Sequence, residues 1–136
     1  MTTPERVGKY QILSKIADGG MAEVFLAVLT GDEGFQKRVA LKMILPFFAR
    51  DESFVRSFIN EARICGQLQH PNLVQVYEFD NKGDSLYLAM EFIDGLDLER
   101  IITHQKLKRK PLPPTIVAEI VLQMLEGLEY AHNATN

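Results

Sequence analysis

Cysteine is almost missing from this sequence. Cys65 is the single thiol in 136 residues, so no internal disulfide framework can form, and a reducing, intracellular setting is expected. A basic excess is missing too. The formal net charge is -3, which leaves no electrostatic footprint for nucleic acid. No apolar run approaches the ~20 residues of a membrane-spanning helix. The start, Met1-Thr2-Thr3-Pro4-Glu5-Arg6, lacks the apolar centre of a secretory signal. These absences predict a cytoplasmic chain with no membrane segment of its own. Internal repeats and low-complexity tracts are also missing. What is present is an ordinary globular mixture, 46% hydrophobic and 24% charged, long enough for one modest domain with its own core.

The first two-thirds alternate with the period of a sheet. Tyr10, Ile12, Ser14 and Ile16 read as one face of a first strand, and Ala22, Val24, Leu26 and Val28 as one face of a second. Between them Ala17-Asp18-Gly19-Gly20 makes a turn in which glycine supplies backbone freedom. A third strand runs from Arg38 to Leu45 and is closed by Pro46. Asp51 and Ser53 are candidate caps for a helix reaching about Leu68, ended by His70-Pro71-Asn72. Strands over Leu73 to Phe79 and Leu86 to Phe92 flank a hairpin signal, Asp80-Asn81-Lys82-Gly83-Asp84. The last third is helical: a short helix near Leu98 to Thr103, then a long one after Pro113-Pro114. Val117, Ile120, Val121, Met124, Leu128 and Ala131 share one face of that long helix.

Two charges stand where apolar residues are expected. Lys42 lies in the middle of Val39-Ala40-Leu41-Lys42-Met43-Ile44-Leu45, a strand apolar on both faces. Glu61 falls inside the helix stripe formed by Phe54, Phe58, Ala62, Cys65 and Leu68. A buried ammonium and a buried carboxylate each need a partner, and the simplest solution is that they answer each other. The alternative is that Lys42 snorkels at a strand end and Glu61 sits at the edge of its stripe.

At this point the residues resemble a family. Ile16-Ala17-Asp18-Gly19-Gly20-Met21-Ala22-Glu23-Val24 is similar to the glycine-rich loop of protein kinases, Val39-Ala40-Leu41-Lys42 to their lysine strand, and Glu61 to their helix glutamate. His70-Pro71-Asn72-Leu73-Val74 and Met90-Glu91-Phe92-Ile93-Asp94-Gly95 resemble the next two landmarks. The wording Gly-Gly-Met-Ala-Glu-Val most resembles the bacterial, eukaryotic-like (Hanks-type) serine/threonine kinases. The loop departs from Gly-x-Gly-x-x-Gly-x-Val, with Ala17 and Ala22 replacing its first and third glycines. The Walker-type signature Gly-x-x-x-x-Gly-Lys-Ser/Thr does not occur.

The resemblance implies an α+β fold. Residues 1–9 would be a tail, residues 10–93 an N-lobe with a five-stranded antiparallel sheet, one regulatory helix and the hinge, and residues 94–136 the first helices of a C-lobe. It further implies ATP as ligand and a protein substrate of unstated identity. Ile16, Val24 and Ala40 would roof the adenine, with Met90 behind it. The Glu91 carbonyl and the Ile93 amide would meet the adenine edge, and Asp97 the ribose. The turn from Ala17 through Asp18, Gly19, Gly20, Met21, Ala22 and Glu23 would cover the phosphates, Lys42 would hold them, and Glu61 would orient Lys42. Asp97 has a second reading, as the cap of the helix that starts at Leu98.

The family's His-Arg-Asp-x-x-x-x-Asn and Asp-Phe-Gly motifs, which supply the base and the Mg2+ ligands, do not occur in this sequence. Mg2+ is therefore expected for a complete domain, with no metal site here, and this chain alone is expected to lack transfer activity. The alternatives are a pseudokinase-like binding module and a nonfunctional remnant. His104 and His132 have no ligand-spaced partner, and Cys65 reads as a small hydrophobe. Lys106 to Lys110 reads as a solvated loop or, alternatively, a docking site for an acidic partner. The apolar face of the last helix is expected to be exposed and to mediate association.

Overall fold

The computed structural model describes residues 5–82 and 85–134. The chain divides into two units, one taking in the described residues up to Gln69 together with Val74–Phe92, the other His70–Leu73 with Ile93 onward.

The first unit is a six-stranded antiparallel sheet in the order β1-β2-β3-β4-β6-β5, with one helix packed on it. Its strands are β1 (Arg6–Val7), β2 (Tyr10–Asp18), β3 (Ala22–Thr30), β4 (Gln36–Ile44), β5 (Val76–Lys82) and β6 (Ser85–Glu91), with α1 (Glu52–Cys65) between β4 and β5. Five strands were expected. The sixth is β1, in which Val7 pairs with Tyr10 and Arg6 with Gln11, so part of the segment read as a tail joins the sheet. Two residues are too few to show a periodicity, which is why the sequence conceals it.

The expected face of β2 does not survive intact. Tyr10 and Ile12 lie opposite Leu29 and Ala27, but register shifts between Ile12 and Ser14 and between Lys15 and Ala17 leave Leu13 and Ile16 without partners. Each extra residue is a bulge, and one bulge moves the residues after it to the other face. Ser14 therefore lies opposite Leu26 rather than with Tyr10 and Ile12.

Two apolar clusters occupy the two faces of the sheet. One gathers Val7, Tyr10, Phe25, Ala27, Val39, Leu41, Tyr87 and Ala89. The other joins Ala22, Ile44, Leu86 and Leu88 to Phe58 and Ala62 of α1. Leu41 is completely buried, and its truncation to alanine would cost about 2–5 kcal/mol. Helix α1 is capped by Asp51, whose Oδ1 accepts from the Ser53 amide at 2.8 Å and from the Ser53 hydroxyl at 2.6 Å. It ends at Cys65, short of Leu68. The next residue, Gly66, donates to the Ala62 carbonyl, and a Cβ there would lie 2.9 Å from that oxygen. Strand β5 starts at Val76 and extends to Lys82, so part of the hairpin signal belongs to the strand. Gly83 and Asp84 lie outside the described residues.

The second unit holds α2 (Leu98–Leu107) and α3 (Pro114–Ala134). Proline opens α3 because the first helical position needs no amide donor, and the Pro113 carbonyl accepts from Ile116 and Val117. Segment 70–73 is pinned to α3. Asn72 Nδ2 donates to the Gln123 carbonyl at 2.9 Å and to Glu126 Oε2 at 3.3 Å, and the His70 and Tyr130 rings are 5.1 Å apart. Gly127 is the buried residue of α3. A Cβ there would stand 3.3 Å from the Asn72 carbonyl oxygen, so the close approach explains a glycine inside a helix. Val117, Val121, Met124, Leu125 and Leu128 are all exposed. Among the described residues, no helix is long and apolar enough to cross a membrane.

Candidate functional site

Register brings the predicted residues of the first unit onto one face. In β3 and β4, Val24 lies opposite Lys42, Leu26 opposite Ala40, and Ala22 opposite Ile44. In β6, Met90 lies opposite Ala40 and Leu88 opposite Lys42. Directly paired residues of an antiparallel ladder share a face. Val24, Ala40, Lys42 and Met90 are therefore neighbours on the same side of the sheet, the side on which α1 packs.

Lys42 Nζ and Glu61 Oε1 are 2.6 Å apart. The ammonium also lies 5.8 Å from the centroid of the Phe58 ring, one helical turn before Glu61. The two misplaced charges thus do answer each other, but they are less buried than the periodicity implied. The Lys42 side chain is 27% exposed and that of Glu61 45%. A pair this wet gives a surface-like contribution, about 0.2–1 kcal/mol, not that of a dry ion pair. Its value is geometric: a carboxylate holds a cation at a fixed point of an otherwise apolar face. Cys65 follows Glu61 by one turn. Burial, and then the Glu61 charge, push its thiol pKa up against the opposing influence of Lys42, which fits a packing role.

The glycine turn closes β2 onto β3. The Gly19 amide donates to the Ala22 carbonyl at 2.8 Å, and a Cβ on Gly19 would fall 2.9 Å from the same oxygen. Glycine is thus required at residue 19. Gly20 faces open space. The Leu45 amide donates to the Met21 carbonyl at 3.0 Å, tying the turn to the end of β4. Ala17 lies opposite Val24, whereas Ile16 occupies the second bulge and is 37% exposed.

One residue beside this turn, in β2, is not singled out by the sequence. Lys15 forms ion pairs with Asp18 and, at 2.5 Å, with Glu23. The Asp18 and Glu23 hydrogen bonds, in that order, hold its pKa above the ordinary lysine value. Lys15 offsets two carboxylates at the base of the loop. The i,i+3 spacing of Lys15 and Asp18 was a visible hint, but strand alternation alone does not bring Lys15 and Glu23 together.

Glu91 lies opposite Val39, and its amide donates to the Gln75 carbonyl at 2.8 Å. In the second unit Ile93 is 60% exposed. Asp97 acts as the cap of α2, accepting from the Arg100 amide at 2.7 Å and pairing with the Arg100 guanidinium at 3.3 Å.

Known proteins resemble this chain. The protein kinase domain family matches residues 10–135. The chain is 37% identical, over 95% of its length, to tyrosine-protein kinase MasK of Myxococcus xanthus, covering 20% of that protein. It is 36% identical, over 92% of its length, to serine/threonine-protein kinase PrkC of Bacillus subtilis, covering 18% of it. It thus spans about a fifth of these curated relatives. The crystal structure of the Mycobacterium tuberculosis PknI kinase domain superposes with a TM-score of 0.70 at 29% identity, covering 97% of this chain and 52% of that one. The α+β fold, a curled antiparallel sheet with one helix followed by further helices, is that of bacterial Hanks-type kinases, and matched along nearly its whole length this chain belongs to the protein kinase family.

Proposed function

We propose that the first unit is the nucleotide-holding part of a serine/threonine protein kinase, with ATP as its ligand. The observation that carries this reading is the 2.6 Å Lys42–Glu61 contact beside the apolar neighbours Val24, Ala40 and Met90. Lys42 takes the phosphates as a point charge, Glu61 fixes where that charge stands, and the turn around Gly19 offers backbone close to them. Val24, Ala40 and Met90 supply an apolar surface for the base.

Among the described residues, no group of three or more His, Cys, Asp or Glu could hold a metal ion. That the chain by itself transfers no phosphate is inferred from its sequence, in which the His-Arg-Asp-x-x-x-x-Asn and Asp-Phe-Gly motifs that supply the base and the Mg2+ ligands do not occur. Isothermal titration with ATP tests the reading: binding is expected for the chain and at least a tenfold loss for Lys42→Ala. Undiminished binding by that variant would overturn it. Radiolabelled transfer to protein above the Lys42→Ala background would overturn the assignment of inactivity. The exposed apolar residues of α3 support self-association of this chain, which sedimentation tests through a concentration-dependent mass.

A further inference from the structure

The second unit carries a cationic stretch that nucleotide binding leaves unused. From Arg100 to Ala118 the sequence holds no acidic residue, in a chain of formal net charge -3. Lys106, Lys108, Arg109 and Lys110 lie at the end of α2 and in the connection to α3. Arg100 is answered by Asp97. Among the described residues, none of the other four has a carboxylate partner.

The backbone there is a defined turn. The Lys110 amide donates to the Gln105 carbonyl at 3.0 Å and the Arg109 amide to the Lys106 carbonyl at 3.1 Å, the two bonds of a Schellman ending. Arg109 fills the left-handed position, φ 52°, where glycine is favoured. An arginine there carries a conformational cost. Lys106, Arg109 and Lys110 line a cavity of about 430 Å³ whose wall also includes Ile102, Leu112 and Val117. An apolar recess beside three uncompensated cations complements a ligand that is apolar at one point and anionic around it.

We propose that this cavity docks an acidic protein segment, with one large apolar side chain among Ile102, Leu112 and Val117 and flanking carboxylates against Lys106, Arg109 and Lys110. The recess favours a peptide over an anionic bilayer, because membrane-binding surfaces push apolar residues outward into lipid. Leu107, 80% exposed, does project, and it gives the vesicle arm of the test its purpose.

The probe is a fluorescent peptide with one phenylalanine among glutamates, followed by anisotropy with the whole chain. Binding is expected to weaken about tenfold for the double variant Lys106→Gln, Lys110→Gln, about tenfold when the peptide phenylalanine becomes alanine, and further with added salt. Arg109→Gly separates docking from folding, because glycine relaxes the turn: the melting temperature should rise while affinity falls severalfold. The proposal is overturned by absence of peptide binding, by affinity that the variants leave unchanged, or by equal binding of polyglutamate. Binding to phosphatidylserine vesicles without binding to the peptide overturns it too.

Discussion

The Tyr10 hydroxyl donates to Glu78 Oε2 at 2.9 Å, although three strands separate β2 from β5 in the order of the sheet. The sheet therefore curls far enough for its two sides to meet across an interior. Tyr87 donates to the other carboxylate oxygen at 3.4 Å, Lys9 pairs with Glu78, and the two tyrosine rings meet edge to face at 6.0 Å. Removing the Tyr10 hydroxyl leaves Glu78 with fewer donors at a partly buried place. Tyr10→Phe is expected to lower stability by about 1–2 kcal/mol, read from urea unfolding, with nucleotide affinity unchanged. An unchanged midpoint would show that the clasp contributes nothing.

The same cluster sets a pH window. Burial first, then Glu78, raises the pKa of both tyrosines, Tyr87 being pushed up to about 12 and Tyr10 further. An unfolded tyrosine titrates near 10. Because the folded values are raised, the stability they contribute is fully present below about pH 10 and is lost as the pH climbs through the folded values. For Glu78, burial pushes the pKa up, but the Lys9 and Tyr10 hydrogen bonds outweigh it and the net shift is downward. Its contribution is present above the ordinary carboxylate range and lost as the pH falls through the lowered value. Thermal melts should show a falling limb above about pH 10, and the limb should be shallower in Tyr10→Phe.

Exposure at the Lys42–Glu61 pair separates function from folding. With 27% and 45% of the two side chains exposed, Glu61→Gln should cost about 1 kcal/mol or less. Nucleotide affinity should nevertheless fall, since Lys42 loses its anchor. Melting and titration of the same sample check both halves. A destabilisation above about 3 kcal/mol would instead mark the pair as structural.

The Asn72–Gly127 approach predicts where the second unit is tight. Gly127→Leu should destabilise it by about 1–3 kcal/mol through overpacking against the Asn72 backbone. Asn72→Ala should loosen the same junction by removing its bonds to Gln123 and Glu126. Hydrogen exchange of the α3 amides reports both changes, and unaltered protection in both variants would refute the pinning.

Much of this was legible in the sequence because it rests on short periods. The alternation of Val39 to Leu45 located β4, and the stripe through Phe58 and Ala62 located α1, which together implied the Lys42–Glu61 contact. What stayed hidden depends on distances along the chain that no local pattern encodes. Tyr10 and Glu78 meet only because the sheet curls, and Asn72 reaches α3 only through the chain's return. The bulges at Leu13 and Ile16 were invisible since both residues are apolar and fit a strand on either face. The degree of burial was misjudged for a related reason: a stripe gives the direction of Glu61, not the depth of what covers it.

Those two bulges also make β2 a place where chain length can be absorbed. From Tyr10 to Asp18 the strand spends nine residues, yet Tyr10 lies opposite Leu29 and Asp18 opposite Glu23. The surplus is held as twist. A chain shortened by Leu13 alone would keep every partner from Ser14 onward, so the glycine turn would stay tied to the end of β4 through Leu45. The shortening would be felt at the opposite end, as a flatter ribbon carrying Tyr10 away from Glu78. Length changes in this strand thus tune the closure of the sheet while leaving the glycine-turn end in register.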